Sequence, residues 1–108
     1  MSLTNEQIEH FRELFSDVPD ITTRRMFGAL ALYSSGVIFS VMTKDGTIRL
    51  KGVGDMIDRF NDLGMEKWIY ESSGQMQSGM PYWTLPDSAL DDPEEASALA
   101  REALTHLV

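Results

Sequence analysis

The chain has 108 residues, of which 43% are hydrophobic and 24% charged, with a net charge of −8 and no cysteine. This length and composition predict a single globular domain over residues 1–108 and exclude a disordered chain. The absence of cysteine excludes disulfides, thiol catalysis and cysteine-ligated zinc, and it favours a reducing compartment, so we expect a cytoplasmic protein. No apolar run is long enough to span a membrane and the N-terminus lacks the pattern of a signal peptide, so we expect no membrane association.

The first predicted helix runs from about residue 5 to residue 17. Thr4 is a typical N-cap, and Gln7, three residues later, completes a capping box. The apolar residues that follow recur at helical spacing and predict one buried stripe. This stripe consists of Ile8, Phe11, Leu14, Phe15 and Val18. Pro19 ends the helix, because proline has no amide hydrogen to donate.

Three β-strands are predicted next, over residues 25–33, 37–42 and 47–51, because these runs are rich in β-branched, aromatic and other apolar residues. Gly36 closes the first turn and an Asp-Gly pair closes the second, and connections this short force neighbouring strands to run antiparallel. The third strand alternates between apolar and polar residues and has one dry face. The first two strands carry apolar side chains on both faces, so they need cover on both sides.

The second face of the first two strands is the main functional clue in the sequence. By alternation, Tyr33 shares a face with Phe27 in the first strand, and Phe39 shares one with Val37 and Val41 in the second. One layer of helices covers only one face of a sheet, so we infer that the other face is buried against a second copy of the chain or another protein. The alternative is that loops or a terminus of the same chain fold over it.

Helix two is predicted from residue 55 or 56 to residue 63. It ends at Gly64, which is placed as a left-handed C-cap from which Met65 can reach back to Phe60. Asp58 and Asp62 share a helix face one turn apart. We interpret them as a solvated face in preference to a metal site or an acid–base pair.

Two further strands are predicted over residues 66–71 and 80–85, and the polar loop between them carries Met76. Met80 and Tyr82 lie at the start of the second of these strands. Methionine and aromatic residues in and after a loop suit a contact surface. For the neighbouring Trp83 we prefer simple packing beneath the last helix.

The last predicted helix begins with Asp92 as its N-cap and Pro93 as its first helical residue. Its apolar residues repeat at helical spacing as far as Leu107 and form the best amphipathic pattern in the chain. The predicted element order is therefore α-β-β-β-α-β-β-α. We expect a two-layer α+β fold, with a five-stranded antiparallel sheet and three helices mainly on one face.

Charge is unevenly distributed along the chain. Residues 21–52 carry five basic residues and one acid, whereas residues 53–108 carry eleven acids and three basic residues. The negative field of the whole molecule opposes nucleic-acid binding, so we do not expect direct contact with DNA. The basic side chains of the sheet offer a site for a small anionic ligand, although those at positions 24 and 25 can instead pair with acids of the first helix. These side chains are Arg24, Arg25, Arg49 and Lys51.

Three motifs together resemble the TfoX N-terminal domain family. They are Arg24-Arg25-Met26-Phe27-Gly28 followed by Leu32-Tyr33 and Gly36, then Phe60 with Gly64-Met65, and last Met80-Pro81-Tyr82-Trp83 with Leu85-Pro86. The resemblance covers about residues 5–107. It implies an α+β fold and, because the family is associated with regulators of natural competence in bacteria, a regulatory role. Larger members carry a second, C-terminal domain, whose activities we do not transfer to this chain.

Two functions are compatible with these observations. We favour a non-catalytic regulatory or protein-interaction domain that self-associates as a homodimer or binds another protein, and the alternative is a domain that binds a small anionic ligand. With no cysteine, no partnered histidine and no phosphate-binding loop, we expect neither an enzyme nor a bound cofactor or metal. The candidate interaction or anion-binding residues are Arg24, Arg25, Phe27, Tyr33, Phe39, Arg49, Lys51, Met76, Met80 and Tyr82.

Overall fold

An antiparallel sheet with helices packed on one of its faces forms the fold in the computed structural model, which describes residues 3–26, 29–68, 71–72, 75–76 and 81–107. The helices are α1 (Asn5–Leu14), α2 (Asp55–Asp62) and α3 (Pro93–Leu107). The strands are β1 (Ile21–Met26), β2 (Ala29–Ser34), β3 (Val37–Met42), β4 (Ile48–Lys51), β5 (Glu71–Ser72), β6 (Gln75–Met76) and β7 (Tyr82–Thr84). The main sheet has the order β1-β2-β3-β4-β7, and β5 and β6 form a separate two-stranded sheet. The predicted α+β class, with five antiparallel strands and three helices, is confirmed.

The first predicted strand, residues 25–33, is two strands in the structure. β1 pairs antiparallel with β2, and Met26 lies opposite Ala29. Residues 27–28, between the two strands, lie outside the described residues. Residues 21–24, ahead of the predicted first strand, belong to β1, which lies at the edge of the sheet, and edge strands tolerate charged side chains.

The predicted strand over residues 66–71 is replaced by a short pairing beside β7. The amide of Trp68 donates to the carbonyl of Tyr82 at 2.8 Å. The amide of Thr84 donates to the carbonyl of Glu66, also at 2.8 Å. The two residues after Trp68 lie outside the described residues. The sheet therefore has its fifth strand in β1 and not in the predicted segment.

The register between β2 and β3 shifts by one residue, between Leu32 and Tyr33. Phe39 is the extra residue of the resulting β-bulge and turns toward the helices, where it is fully buried. The prediction that Phe39 shares a face with Val41 is therefore wrong, because alternation holds only while the register is uninterrupted.

The main core lies between the sheet and the helices. Phe15 links the layers, because its ring meets those of Phe11 and Phe39 edge-to-face, with centroids 5.8 and 5.5 Å apart. α3 packs against β3 and β4. Its Ala100 and Ala103 are fully buried, and side chains this small let the helix approach the strands closely.

The predicted helix ends are confirmed where they depend on local hydrogen bonds. Thr4 and Gln7 form the capping box of α1, which ends about three residues before the predicted boundary. After α2, Gly64 takes a left-handed φ of 76°, and the amide of Met65 donates to the carbonyl of Phe60, the Schellman ending that the sequence predicts. None of the helices in the described ranges has the length and apolar character needed to cross a membrane.

Candidate interaction surface

The main sheet has a second face, turned away from the helices, which we call the outer face. Strand alternation places every second residue of each strand on it, together with two residues of the segment paired with β7. The outer-face residues whose side chains are described are Thr22, Arg24, Ala29, Ala31, Tyr33, Ile38, Val41, Arg49, Lys51, Tyr82 and Thr84, with Glu66 and Trp68 from the paired segment. Five of the predicted interaction residues are among them, namely Arg24, Tyr33, Arg49, Lys51 and Tyr82.

A small apolar cluster occupies the middle of the outer face and is separate from the main core. Ala31 is fully buried, and Val41 and Tyr82 are buried as well. The half-buried side chains packed around them are Tyr33, Ile38 and Trp68. The rings of Trp68 and Tyr82 meet edge-to-face with their centroids 6.4 Å apart. The outer face therefore has an aromatic centre of its own.

One chain covers its outer face more fully than the sequence predicts. A face that only a second molecule could bury would expose large apolar side chains. Within the described ranges, the one large hydrophobic residue that is exposed is Leu63, beside α2, at 41%. The buried members of the cluster are covered by neighbouring side chains of the sheet and by Trp68 of the segment paired with β7. A partner could still contact the half-buried aromatic and aliphatic side chains of the outer face, which charged side chains border.

Arg49 is the central cation of the outer face, and its neighbours fix its position. Its guanidinium carbon lies 4.7 Å from the centroid of the Trp68 ring, a cation–π contact. Nη1 donates to Thr43 Oγ1 at 3.1 Å, whereas Nε is buried and has no hydrogen-bond partner. Burial lowers the pKa of Arg49, and the charge of nearby Asp45 opposes that shift. Since arginine remains protonated in proteins, the outer face holds a partly buried positive charge.

The turn between β3 and β4 holds in place Thr43, which accepts the hydrogen bond from Arg49. Asp45 accepts hydrogen bonds from the hydroxyl of Thr43 and from the amide of Thr47, the latter at 3.1 Å. These bonds lower the pKa of Asp45, the bond from Thr43 most of all. Because the Thr43 hydroxyl donates to Asp45, its lone pairs are left to accept from Arg49. The turn and the guanidinium therefore form one polar network.

The chemistry available on the outer face suits binding. Burial raises the pKa of Tyr82, and the charge of nearby Tyr33 raises it further, so the phenol of Tyr82 stays neutral at physiological pH. In the described part of the chain, no group of three or more His, Cys, Asp or Glu side chains is arranged to hold a metal ion. The face thus combines a fixed cation with neutral aromatic rings, a combination that interfaces favour.

The four basic residues predicted to bind an anion do not form one set. Arg24, Arg49 and Lys51 share the outer face. Arg25 lies on the opposite face, because neighbouring residues of a strand alternate. Arg24 and Arg25 are both exposed. Among the described residues, an ion pair joins Arg59 to Glu102 at 2.9 Å. No ion pair between Arg24 or Arg25 and an acid of α1 is found among these residues, although the sequence allowed such pairs.

The other predicted contact residues have different positions. Phe39 is fully buried on the helix side of the sheet, so its prediction as a contact residue needs correction. Tyr82 is on the outer face but buried within the cluster. Met76 lies in β6. Phe27 and Met80 lie outside the described residues.

Glu66 and Trp68 are not among the contact residues that the sequence predicts. The amide–carbonyl bonds to β7 place both on the outer face, Glu66 exposed and Trp68 beneath Arg49. Alternation would have revealed them once their segment was paired with β7. That pairing is between segments distant in the chain, and nothing within residues 66–68 specifies it.

A family model matches most of the chain. The family model for the TfoX N-terminal domain matches residues 13–107 of the chain. The matched segment contains every strand, α2, α3 and the end of α1. A search of curated proteins finds no match to the chain.

Proposed function

The chain belongs to the TfoX N-terminal domain family, and from that premise we propose that it is a non-catalytic regulatory domain that acts by binding protein, with a second copy of itself as the partner. The family is associated with regulators of natural competence in bacteria, which supports a regulatory role. The lack of cysteine favours a reducing compartment, so we place this role in the cytoplasm.

The observation that carries this proposal is the composition of the outer face. Its buried centre is ringed by half-buried aromatic and aliphatic side chains, of which Tyr33 and Trp68 are the largest. Charged residues border this centre at Arg24, Lys51 and Glu66. An apolar centre within a polar rim, rich in tyrosine, tryptophan and arginine, is the arrangement of residues that protein interfaces favour.

Self-association can be tested on the isolated chain. We expect light scattering, over low to high micromolar concentrations, to show a monomer–dimer equilibrium. Tyr33→Ser should shift this equilibrium toward monomer, because it removes a half-buried aromatic side chain from the rim of the cluster. Leu63→Ser is the matched control, since it removes an exposed apolar side chain beside α2. A clean monomer at the highest concentration, or equal effects of the two variants, would contradict the proposal.

A second candidate function is the binding of a small anionic ligand. The observation in its favour is Arg49, a partly buried guanidinium with one nitrogen unpartnered, which shares its face with Arg24 and Lys51. A thermal-shift screen against nucleotides and carboxylic acids tests it, because a ligand that binds the folded state raises the melting temperature. Lys51→Ala should abolish any shift, and Arg25→Ala, on the opposite face, should retain it. The candidate fails if no compound stabilises the chain.

A further inference from the structure

One row of residues crosses the whole outer face at right angles to the strands. Each member lies opposite the next in a neighbouring segment, and the row runs across β1, β2, β3, β4, β7 and the segment paired with β7. From edge to edge, the row consists of Arg24, Ala31, Val41, Arg49, Thr84 and Glu66. Its two ends therefore carry opposite charges.

The two end residues are exposed. In the described part of the chain, neither the Arg24 side chain nor the Glu66 side chain takes part in a hydrogen bond or an ion pair. Five strand spacings of about 4.8 Å separate them, or roughly 24 Å, so they cannot pair within one chain. A partner that satisfies both ends must present a carboxylate to Arg24 and a cation to Glu66.

We propose that two copies of the chain pack outer face to outer face about a two-fold axis parallel to the strands, so that Arg24 of each copy pairs with Glu66 of the partner subunit. This inference rests on the self-association proposed above and specifies its geometry. A two-fold axis in this direction makes the strands of the partner sheet run across the interface in the reverse order. It leaves positions along the strands unchanged, so each row faces the same row of the partner. The β1 edge of one copy then meets the Glu66 edge of the other. An axis perpendicular to the strands would place Arg24 over Arg24.

The cation in the middle of the row does not prevent this packing. Arg49 lies over the Trp68 ring of its own chain. Sheets that pack face to face lie about 10 Å apart, so the two Arg49 side chains repel each other and weaken the dimer, but two attractive Arg24–Glu66 pairs oppose this one repulsive contact. A uniformly acidic partner would attract the three cations of this face but would be repelled by Glu66, whereas a second copy matches both ends of the row.

The size of the outer face sets the dimer affinity that we expect. Six segments, each about four residues long, cover roughly 24 by 13 Å, on the order of 300 Å² per subunit. Stable interfaces bury about 800 Å² per partner. The dimer should therefore be weak, with a dissociation constant in the micromolar range, and its formation should depend on concentration.

Charge reversal with compensation tests this geometry, with sedimentation velocity of the full chain as the measurement. Arg24→Glu and Glu66→Arg should each weaken the dimer roughly tenfold, because each change turns two attractive pairs per dimer into repulsive ones. The double variant restores opposite charges at both contacts, so its dissociation constant should return to within about threefold of the wild-type value. Arg25→Glu reverses a neighbouring exposed charge on the opposite face and should have little effect.

The possible outcomes separate this inference from the proposed function. A wild-type chain that remains monomeric at high micromolar concentration overturns both. A wild-type dimer in which the double variant is at least as weak as either single variant overturns the geometry and leaves self-association standing. If Arg25→Glu weakens the dimer as much as Arg24→Glu does, the geometry is also overturned. Far-ultraviolet circular dichroism of every variant verifies that the fold is unchanged.

Discussion

At the scale of single residues, Gly52 lies in a close contact that even one added methyl group would disturb. Gly52 is buried where the chain leaves β4, and its amide donates to the carbonyl of Pro81 at 3.0 Å. A Cβ atom at this position would lie 2.7 Å from the Phe60 ring and 3.1 Å from the Trp83 ring. Both rings are buried. Glycine is required here because there is no room for a side chain.

We therefore expect Gly52→Ala to destabilise the fold by about 1–3 kcal/mol through overpacking. Urea unfolding followed by tryptophan fluorescence measures the change. Phe60→Leu provides the matched test, because a smaller side chain relieves the contact with the new methyl group. The two changes together should cost less than the sum of their separate costs. Additive costs would contradict this explanation.

Asp45 gives the fold a predictable response to acid. Its hydrogen bonds hold its pKa below the usual 3.8. A carboxyl group with a lowered folded-state pKa adds stability at higher pH, and that stability is lost as the pH falls from about 4 through the folded-state pKa. Asp45→Asn should therefore destabilise the chain at pH 7, by roughly 0.5 kcal/mol because the group is exposed to solvent.

The same substitution should have a smaller effect at pH 3, because this pH lies below the usual pKa of 3.8, so the carboxyl of the unfolded chain is mostly protonated and folding must release that proton. Urea unfolding at the two pH values measures the difference. Asp58→Asn, an exposed carboxylate on α2, serves as the control for the loss of one negative charge. A cost of Asp45→Asn that is the same at both pH values would show that the charge has no part in stabilising the turn.

At the scale of elements, α1 and α3 are joined by a buried polar contact as well as by apolar packing. Ser97 of α3 is fully buried, and its hydroxyl donates to the carbonyl of Leu14 at 2.9 Å. Leu14 is the last residue of α1, and the carbonyls at a helix C-terminus have no partner within the helix. The Ser97 hydroxyl of α3 therefore supplies the hydrogen bond that the C-terminal carbonyl of α1 lacks.

Ser97→Ala should cost about 1 kcal/mol or more, because it leaves the Leu14 carbonyl without its partner. Alanine favours helix over serine by up to about 0.5 kcal/mol, and this gain partly offsets the loss. Thr105→Ala, at an exposed position of α3, serves as the control for helix propensity. Thermal unfolding of both variants measures the difference, and equal melting temperatures would contradict the role given to Ser97.

At the scale of the whole molecule, the distribution of charge sets which partners the chain can approach. The sheet stretch, residues 21–52, carries five basic residues against one acid within a chain of net charge −8. Only part of that basic charge reaches the outer face, because Arg25 lies on the other side of the sheet. The long-range field remains negative and repels polyanions, whereas short-range contacts on the outer face remain open to proteins.

We expect no measurable binding of the chain to duplex DNA at physiological salt, because phosphate binding requires a cluster of cations that outweighs the negative field. Fluorescence anisotropy of a labelled duplex at about 0.15 M salt tests this prediction. Binding that weakens steeply with salt and is lost in the Arg24→Glu variant would contradict it. Such a result would assign the outer face to nucleic acid.

The sequence by itself determined the elements whose signals are local. The capping box at Thr4, the Schellman ending at Gly64 and the N-cap at Asp92 all rest on hydrogen bonds between residues a few positions apart. Within the candidate site, it also identified Arg49 and Tyr33, because basic and aromatic residues stand out in a strand.

Only the tertiary structure decided how the strands combine and which side chains share a face. β1 is polar because it lies at an edge, so its residues carry no alternating apolar signal. Phe39 faces the helices because of a bulge in its pairing with β2, and Trp68 lies beneath Arg49 because its segment pairs with β7. Strand pairing joins residues far apart in the chain, and a one-residue shift in register moves a side chain to the opposite face.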